Sequence, residues 1–226
     1  NPNMLVTAGL STFSRKFESY DDGMGKPGGF GDAISWYDSA SVAAAGIDAS
    51  WWAGGNTNFA VPGATYTSPS DYYVANTFAF ARPGDVTTGW SKNQRDSFGM
   101  DAGLTWQRGD HELRAGFDYK KYTYRKYYLS TSAMYNLNKA VSDGTYSRDQ
   151  VNSGSDAAVT AALSNYNRSG QIGFDDYGNE VDSGWDGPRE PTVSSIYIND
   201  KYEAGDLVVS AGVRIDNFMM DDWKMN

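Results

Sequence analysis

The sequence of 226 residues contains no cysteine and only one histidine, His111. The lack of cysteine excludes a disulfide-bonded scaffold, and with a single histidine it also excludes the usual cysteine and histidine zinc sites. No stretch approaches the ~20 apolar residues of a membrane-spanning helix, which excludes a helical membrane protein. Basic residues are few, since 19 Lys and Arg stand against 28 Asp and Glu, and the net charge of −9 argues against nucleic-acid binding.

Aromatic residues and glycine are abundant, with 16 Tyr, 10 Phe, 7 Trp and 25 Gly. Aromatic side chains favour strands, whereas glycine together with Asn and Asp favours turns. Two all-β classes fit this mixture. One is a soluble β-sandwich that binds carbohydrate through aromatic side chains, and the other is an outer-membrane β-barrel with an apolar outer face and a polar interior.

The clearest strand pattern lies in the middle of the chain. Every second residue from Phe98 to Trp106 is apolar, and the same alternation recurs from Leu113 to Tyr119. Such a period of two is typical of strands with one apolar face. The intervening residues, 107–110, have the composition of a tight turn, so the pattern predicts a hairpin of strands at about 96–108 and 111–126.

The two ends of the chain show the same alternation. Every second residue from Leu207 to Ile215 is apolar, which predicts a strand at about 207–218. A strand at about 192–203 precedes it, and residues 204–206 supply a tight turn between the two. A further strand is predicted at about 4–19.

Two long stretches, about 20–95 and 127–191, separate these strands. They are rich in Gly, Ser, Asp and Tyr, and only residues 139–141 and 156–163 are predicted to form short helices within the second. Tight turns therefore alternate with very long connections along the chain. Outer-membrane barrels have short periplasmic turns and long extracellular loops, so the alternation favours the barrel over the sandwich.

Recurrent motifs occupy the strands of both predicted hairpins. Residues 196–202 read IYINDKY and match a Y-x-Q-D-x-[WY] strand, apart from Asn199 in the place of Gln. Residues 206–216 read DLVVSAGVRID and resemble L-x-L-x-x-G-[LV]-R-[YFI]-D, and residues 111–119 read HELRAGFDY and resemble H-x-[LI]-K-x-G-x-[ED]-[YF]. With these motifs the chain resembles TonB-dependent outer-membrane receptors, in particular the large type with a carboxypeptidase-regulatory-like N-terminal module.

This resemblance implies a receptor and transporter of the bacterial outer membrane, without enzymatic activity. The fold class predicted for residues 1–226 is an all-β, antiparallel transmembrane β-barrel segment, with about five spanning strands and two long extracellular loops. Family members have about 22 strands and a plug. We therefore expect an internal part of one barrel domain, without plug, TonB box or signal peptide, that other chain segments close.

The partners that the resemblance implies are outer-membrane lipid, the rest of the barrel with its plug, and the TonB complex. An extracellular substrate or a surface protein partner is also expected, since siderophores, vitamin B12, glycans and peptides all use this architecture. The alternatives are a structural or partner-binding outer-membrane barrel without transport, and the soluble carbohydrate-binding β-sandwich.

Two groups of candidate site residues follow from this topology. Charged residues on the polar strand faces are predicted to face the barrel lumen, where they line a substrate path or form an interior charge ladder: Asp101, Arg114, Asp118, Arg214 and Asp216. Aromatic residues of the first long loop either stack on a ligand or pack against one another: Trp36, Tyr37, Trp51, Trp52, Tyr66, Tyr72 and Tyr73.

The second long loop contains an acidic run. Asp175, Asp176, Glu180 and Asp182 offer the oxygen ligands that Ca²⁺ prefers, although a solvated acidic loop has the same composition. No other cofactor is expected. No nucleophile motif surrounds the histidine, and the tripeptide at 108–110, although it spells an adhesion sequence, is interpreted as a plain turn.

Overall fold

The computed structural model describes residues 3–21, 25–36, 73–75, 78–80, 88–166 and 171–220. These ranges are mostly β, and their strands are β1 Met4–Ser19, β2 Tyr73–Ala75, β3 Phe78–Phe80, β4 Trp90–Arg108, β5 His111–Leu129, β6 Thr192–Ala204 and β7 Leu207–Met219. Five of the strands form one antiparallel sheet in the order β1–β4–β5–β6–β7, and β2 pairs with β3 in a second sheet. The five strands predicted from the alternation are all present.

Helices in the described ranges are α1 Phe30–Ser35, α2 Thr131–Ser142, α3 Arg148–Asn152 and α4 Ala157–Tyr166. Helix α2 contains the predicted helix 139–141, and α4 overlaps the predicted helix 156–163 from residue 157 onward. The expectation of a wholly irregular connection elsewhere between 127 and 191 is wrong, because serine side chains cap additional helical turns. Among these helices none is long and apolar enough to cross a membrane.

The chain divides into two compact units. Unit 1 comprises Asn1–Lys16, Gln94–Arg125 and Pro188–Asn226, and unit 2 comprises Phe17–Asn93 and Lys126–Gly187. Both units are therefore assembled from segments that are far apart in the sequence.

Unit 1 holds the five-stranded sheet and its tight turns. The register pairs His111 with Tyr202 between β5 and β6, and Ala204 with Leu207 between β6 and β7. Gly109 and Gly205 close the two tight turns with φ of +60° and +59°, a backbone conformation that favours glycine. The turns therefore lie where the sequence predicts them.

The strand boundaries differ from the predicted ones at the ends of the long connections. Strand β4 already begins at Trp90, and β5 continues to Leu129. In these extensions both faces carry polar or aromatic residues, so the alternation that predicts a strand fades before the strand ends.

Unit 2 contains all of the buried hydrophobic core in the described part of the chain. Its members come from α1, from the start of β4, the end of β5, the helices α2, α3 and α4, and the loop that follows α4. Trp90 and Tyr127 meet edge to face, with ring centroids 5.4 Å apart, and Phe30 and Tyr177 do so at 4.9 Å. Unit 2 thus has the interior of an ordinary folded domain.

Candidate functional site

The five charged residues predicted to face a lumen do share one face of the sheet in unit 1. Cross-strand pairing sets Asp118 opposite Ser195 and Ser195 opposite Asp216. The side chain of Arg214 lies between the last two, since its Nε is 2.8 Å from Asp216 Oδ1 and its Nη2 donates to Ser195 Oγ at 3.0 Å. These contacts form part of a ladder of polar groups across neighbouring strands.

The other two members lie on the same face further along the sheet. Arg114 pairs with Glu112, at 2.5 Å between Nη2 and Oε1. Asp101 lies over Gly9 of the neighbouring strand, where a side chain would place its Cβ 2.9 Å from Asp101 Cγ. Glycine in β1 therefore provides the space that the carboxylate occupies.

The opposite face of the sheet is apolar and exposed. Leu10 is 79% exposed, Val213 64% and Ile198 57%, although aliphatic residues of this size are usually buried. A groove of about 740 Å³ runs over this face and is lined by residues of all five strands. Within the described ranges, no second layer of the protein covers these side chains.

The aromatic residues predicted to bind a ligand fall into three groups. Trp36 is only 2% exposed and packs in the core of unit 2, so it does not present a stacking surface. Tyr73 is the first residue of β2, for which the backbone alone is described. The others lie outside the described residues: Tyr37, Trp51, Trp52, Tyr66 and Tyr72.

The acidic run of unit 2 forms a turn. Asp175 Oδ1 accepts hydrogen bonds from the amides of Tyr177, at 2.9 Å, and Asn179, at 2.8 Å. Glu180 pairs through its backbone with Phe174. Asp182 is exposed.

These carboxylates do not converge on a common point. In the described part of the chain, no group of three Asp, Glu or His residues is placed to hold a metal ion, so the geometry gives the calcium prediction no support. Burial raises the pKa of the Asp176 carboxyl, and the nearby charges of Asp186 and Asp175 raise it further.

His111 lies beside one of the tight turns of unit 1. Its Nδ1 is 2.9 Å from Asp200 Oδ2, and its ring lies 4.8 Å from the ring of Tyr202. Both partners are strand residues, so the observed contacts connect β5 to β6. The tripeptide 108–110 lies in the same tight turn, as the sequence predicts.

A polar cleft in unit 2 was not predicted from the sequence. Its volume is about 910 Å³, and it is lined by the glycine-rich segment 26–32 with Ser35, by Arg148 and residues 152–154 at the two ends of α3, by the turn 177–179, and by side chains of β1 (Glu18) and β4 (Trp90 and Lys92). Small-molecule sites typically have volumes of about 300–1,000 Å³. The glycine-rich segment was a visible signal, whereas the other walls come from positions scattered over the sequence.

One wall of the cleft is a network around Glu18. Trp90 Nε1 donates to Glu18 Oε1 at 2.7 Å, and Lys26 Nζ lies 2.7 Å from Oε2. Burial alone would raise the pKa of the Glu18 carboxyl, but the hydrogen bonds from Lys26 and Trp90 outweigh burial and hold the pKa below its ordinary value. Glu18 is therefore an ionised carboxylate whose two oxygens both have donors.

A half-buried lysine, Lys92, lies beside this network. Lys92 Nζ lies 4.3 Å from the ring centroid of Trp90 and 5.7 Å from the centroids of both Tyr127 and Phe174. It donates one hydrogen bond, to the carbonyl oxygen of Gly178, at 2.9 Å. Burial lowers the pKa of Lys92, and the nearby Glu18 opposes that effect. The aromatic rings hold the ammonium in place through cation–π attraction.

Comparison of the chain with protein-family models, with curated proteins and with solved structures gave no match. The resemblance to TonB-dependent receptors therefore depends on the strand motifs and stays a prediction.

Proposed function

We propose that the chain forms part of the wall of a bacterial outer-membrane barrel of the TonB-dependent receptor class. The single observation that carries the proposal is the difference between the two units. Unit 2 buries its hydrophobic residues, whereas unit 1 exposes an apolar face that extends over five strands. A soluble protein rarely exposes a contiguous apolar surface of this extent, and lipid is the occupant that we propose for it.

The length of the apolar band fits a bilayer. Alternating apolar residues run over nine positions in β4 and β7 and over seven in β5 and β6, where Asp200 interrupts the pattern of β6. A tilted transmembrane strand needs ~9–11 residues. The spans that we propose are about 4–13, 97–106, 112–121, 194–203 and 207–216. The opposite face carries the charge ladder and fits a hydrated interior.

Charged residues are few on the lipid-facing positions. Asp200 lies in the half of its span nearer the tight turn and contacts His111, and Lys121 lies at the opposite end of its span and is 2.8 Å from Glu190. Trp106 and Tyr202 also lie near the tight turns, at the level where aromatic girdles of outer-membrane barrels contact the interface. This distribution favours lipid over a second protein layer.

In this arrangement the tight turns face the periplasm and the connections 20–95 and 127–191 are extracellular. The chain then supplies barrel wall and substrate-facing external segments, without catalysis. The remaining barrel strands, the plug and the TonB complex are the partners. A structural barrel that binds a partner protein and does not transport is the second candidate, because it would have the same exposed face.

Lipid contact is tested by single-cysteine spin labelling of the intact protein in lipid vesicles. Residues 1–226 contain no cysteine, so each label is unique within them. We expect high accessibility to oxygen and low accessibility to an aqueous nickel complex at Ile198→Cys, and the reverse at Asn199→Cys. Equal water accessibility at both positions, or burial of Ile198 within protein, would contradict the membrane placement.

Energy coupling is tested separately by crosslinking the intact protein to the periplasmic domain of TonB. Crosslinks would support the transport receptor. Their absence in a protein that passes the lipid test would favour the structural barrel.

A further inference from the structure

The tight turn between β4 and β5 begins with an arginine that has no carboxylate partner. Arg108, the last residue of β4, is exposed, and among the described residues it makes no hydrogen bond and no ion pair. By contrast, Arg114 of the same hairpin pairs with Glu112. A guanidinium has five N–H donors, so Arg108 has its donors available for a partner outside the described part of the chain.

The guanidinium of Arg108 lies over an aromatic ring. Its Cζ is 5.3 Å from the ring centroid of Trp106, within the range of cation–π attraction. Because side chains two positions apart share a strand face, Trp106 is on the same face as Leu104, which lines the apolar groove. The ring therefore holds the cation on the apolar side of the sheet.

The neighbouring strands place further amphipathic side chains beside this turn. His111 and Tyr202 are opposite each other in the register of β5 and β6, and their ring centroids lie 4.8 Å apart. Trp, Tyr and His each combine an apolar ring with a polar tip. In membrane proteins Trp and Tyr concentrate where the hydrocarbon layer meets the headgroups, so a lipid-facing sheet would place Arg108 at headgroup level.

Two carboxylates are close to Arg108 in sequence or in register, and in the described part of the chain neither forms an ion pair with it. Asp110 lies two residues further along, and its backbone carbonyl accepts from the amide of Glu203. Asp200 contacts His111 instead, at 2.9 Å between Oδ2 and Nδ1. An anionic ligand at Arg108 would therefore displace no protein carboxylate.

From these contacts we infer that Arg108, positioned by Trp106, binds the phosphate group of a membrane phospholipid at the turn end of the sheet. A guanidinium matches the oxygens of a phosphate through two parallel N–H donors. Phospholipids carry this group just outside the hydrocarbon layer. The inference rests on the proposed function, in which the tight turns face the periplasm, so the lipid belongs to the periplasmic leaflet.

The test is solid-state NMR of the intact protein in vesicles of phosphatidylethanolamine and phosphatidylglycerol. With an isotope label at the guanidinium carbon of arginine, a phosphorus nucleus of a bound lipid dephases the arginine signal. Arg108→Lys identifies the signal of Arg108 by its loss, and we expect lipid phosphorus to dephase that signal. An Arg108 signal that lipid phosphorus leaves unaffected would overturn the inference.

Two controls separate a lipid site from a general anion site. Arg114 pairs with Glu112 on the polar face, so Arg114→Lys should remove a signal that lipid phosphorus does not dephase. Inorganic phosphate is added to the protein in a detergent that contains no phospholipid, and it should not dephase the signal of Arg108. Equal dephasing by inorganic phosphate would overturn the assignment to lipid.

Trp106→Leu tests whether the ring positions the guanidinium. The dephasing of Arg108 by lipid should fall about twofold or more, the change expected for loss of a cation–π contact. Unchanged dephasing would contradict the positioning role of Trp106. Cross-strand amide contacts between β5 and β6 report whether the sheet stays folded in the variant.

Failure of this inference is distinguishable from failure of the proposed function. The spin labels at residues 198 and 199 report membrane placement independently of Arg108. Lipid contact at residue 198 without phosphorus contact at Arg108 would overturn the arginine site alone. Water contact at both labels would overturn both.

Discussion

At the residue scale, the two units use glycine and carboxylates in different ways. In the sheet of unit 1, glycines admit large or charged neighbours, as Gly9 does for Asp101. In unit 2, carboxylates hold turns and loops, as Asp175 does with the amides of its own turn. Asp176 is the exception, because burial and then the charges of Asp186 and Asp175 raise the pKa of its carboxyl.

Asp176→Asn should stabilise unit 2 at neutral pH. The pKa of Asp176 is higher in the folded than in the unfolded chain, so its contribution to stability is full below about pH 3.8 and is lost as the pH rises through the folded pKa. Removal of the charge should therefore raise the free energy of unfolding of unit 2 by about 0.5 kcal/mol at pH 7, a size typical of partly exposed charges. At about pH 3.5 it should leave that free energy unchanged. The measurement is amide exchange of α2 and α4 at increasing urea concentration, and the urea midpoints of parent and variant are compared at both pH values.

Asp176→Glu is the matched control, since it keeps the charge and should keep the same pH dependence. A stabilisation by Asp176→Asn that is equal at both pH values would show that its cause is not the carboxylate charge.

Gly116→Ala should destabilise the sheet of unit 1. A Cβ at Gly116 would lie 2.5 Å from Cζ of Tyr197, the residue opposite it on β6. The ring has to leave its place over the glycine, at a cost of about 1–3 kcal/mol. Denaturant unfolding of the intact protein in detergent measures the loss.

Tyr197→Ser combined with Gly116→Ala provides the control for that prediction. The combined loss should be smaller than the sum of the two single losses, because the serine leaves room for the new methyl group. Strict additivity would mean that the ring and the methyl group do not compete for space.

At the scale of elements, the strands were predictable and the helices of unit 2 only in part. The alternation from Phe98 to Trp106 depends on neighbouring residues alone and therefore identifies a strand without knowledge of its partners. Helix α3 has five residues, too few for a helical period, and its local signal is the S-x-x-Q capping sequence that begins at Ser147. A prediction that relies on hydrophobic periodicity does not detect such a helix.

Ser147→Ala should loosen α3. Ser147 Oγ accepts from the Gln150 amide at 3.1 Å, and Gln150 Oε1 accepts from the Ser147 amide at 2.9 Å. Loss of such a cap costs about 0.5–2 kcal/mol. We expect faster amide exchange in residues 148–154, without a change in the strands of unit 1. Ser147→Asp retains a capping oxygen, so residues 148–154 should show the same amide exchange rates as in the parent protein. Equally fast exchange in the alanine and aspartate variants would contradict a role for the cap.

At the scale of the whole molecule, the exposed apolar face could be predicted but the cleft could not. The face follows from local alternation, and the polar ladder follows from the same pattern. The cleft combines Glu18, Lys92, Arg148 and Asn179, which no local pattern relates to one another. The burial of Trp36 could not be predicted either, because the sequence does not distinguish an exposed aromatic residue that binds a ligand from one that is buried in the core.

The difference in burial also predicts how the two units respond to solvent. Unit 2 has its own apolar core, so its amide protection should change little when detergent is diluted below its critical micelle concentration. The strands of unit 1 should lose protection or aggregate under the same conditions, because their apolar face then contacts water. Hydrogen exchange resolved by segment measures both. Full retention of protection in β6 and β7, as a monodisperse species, would contradict the lipid-facing assignment.

The split course of unit 2 has a consequence for the order of events during biosynthesis. The side chain of Asn138 donates to the carbonyl of Ile34 at 2.9 Å, across 104 residues of sequence. Helix α1 therefore emerges from the ribosome, and from any export channel, well before the helices that cover it. During that interval its apolar side chains have no native neighbours, and surface exposed in this way is prone to aggregation until the later segment arrives.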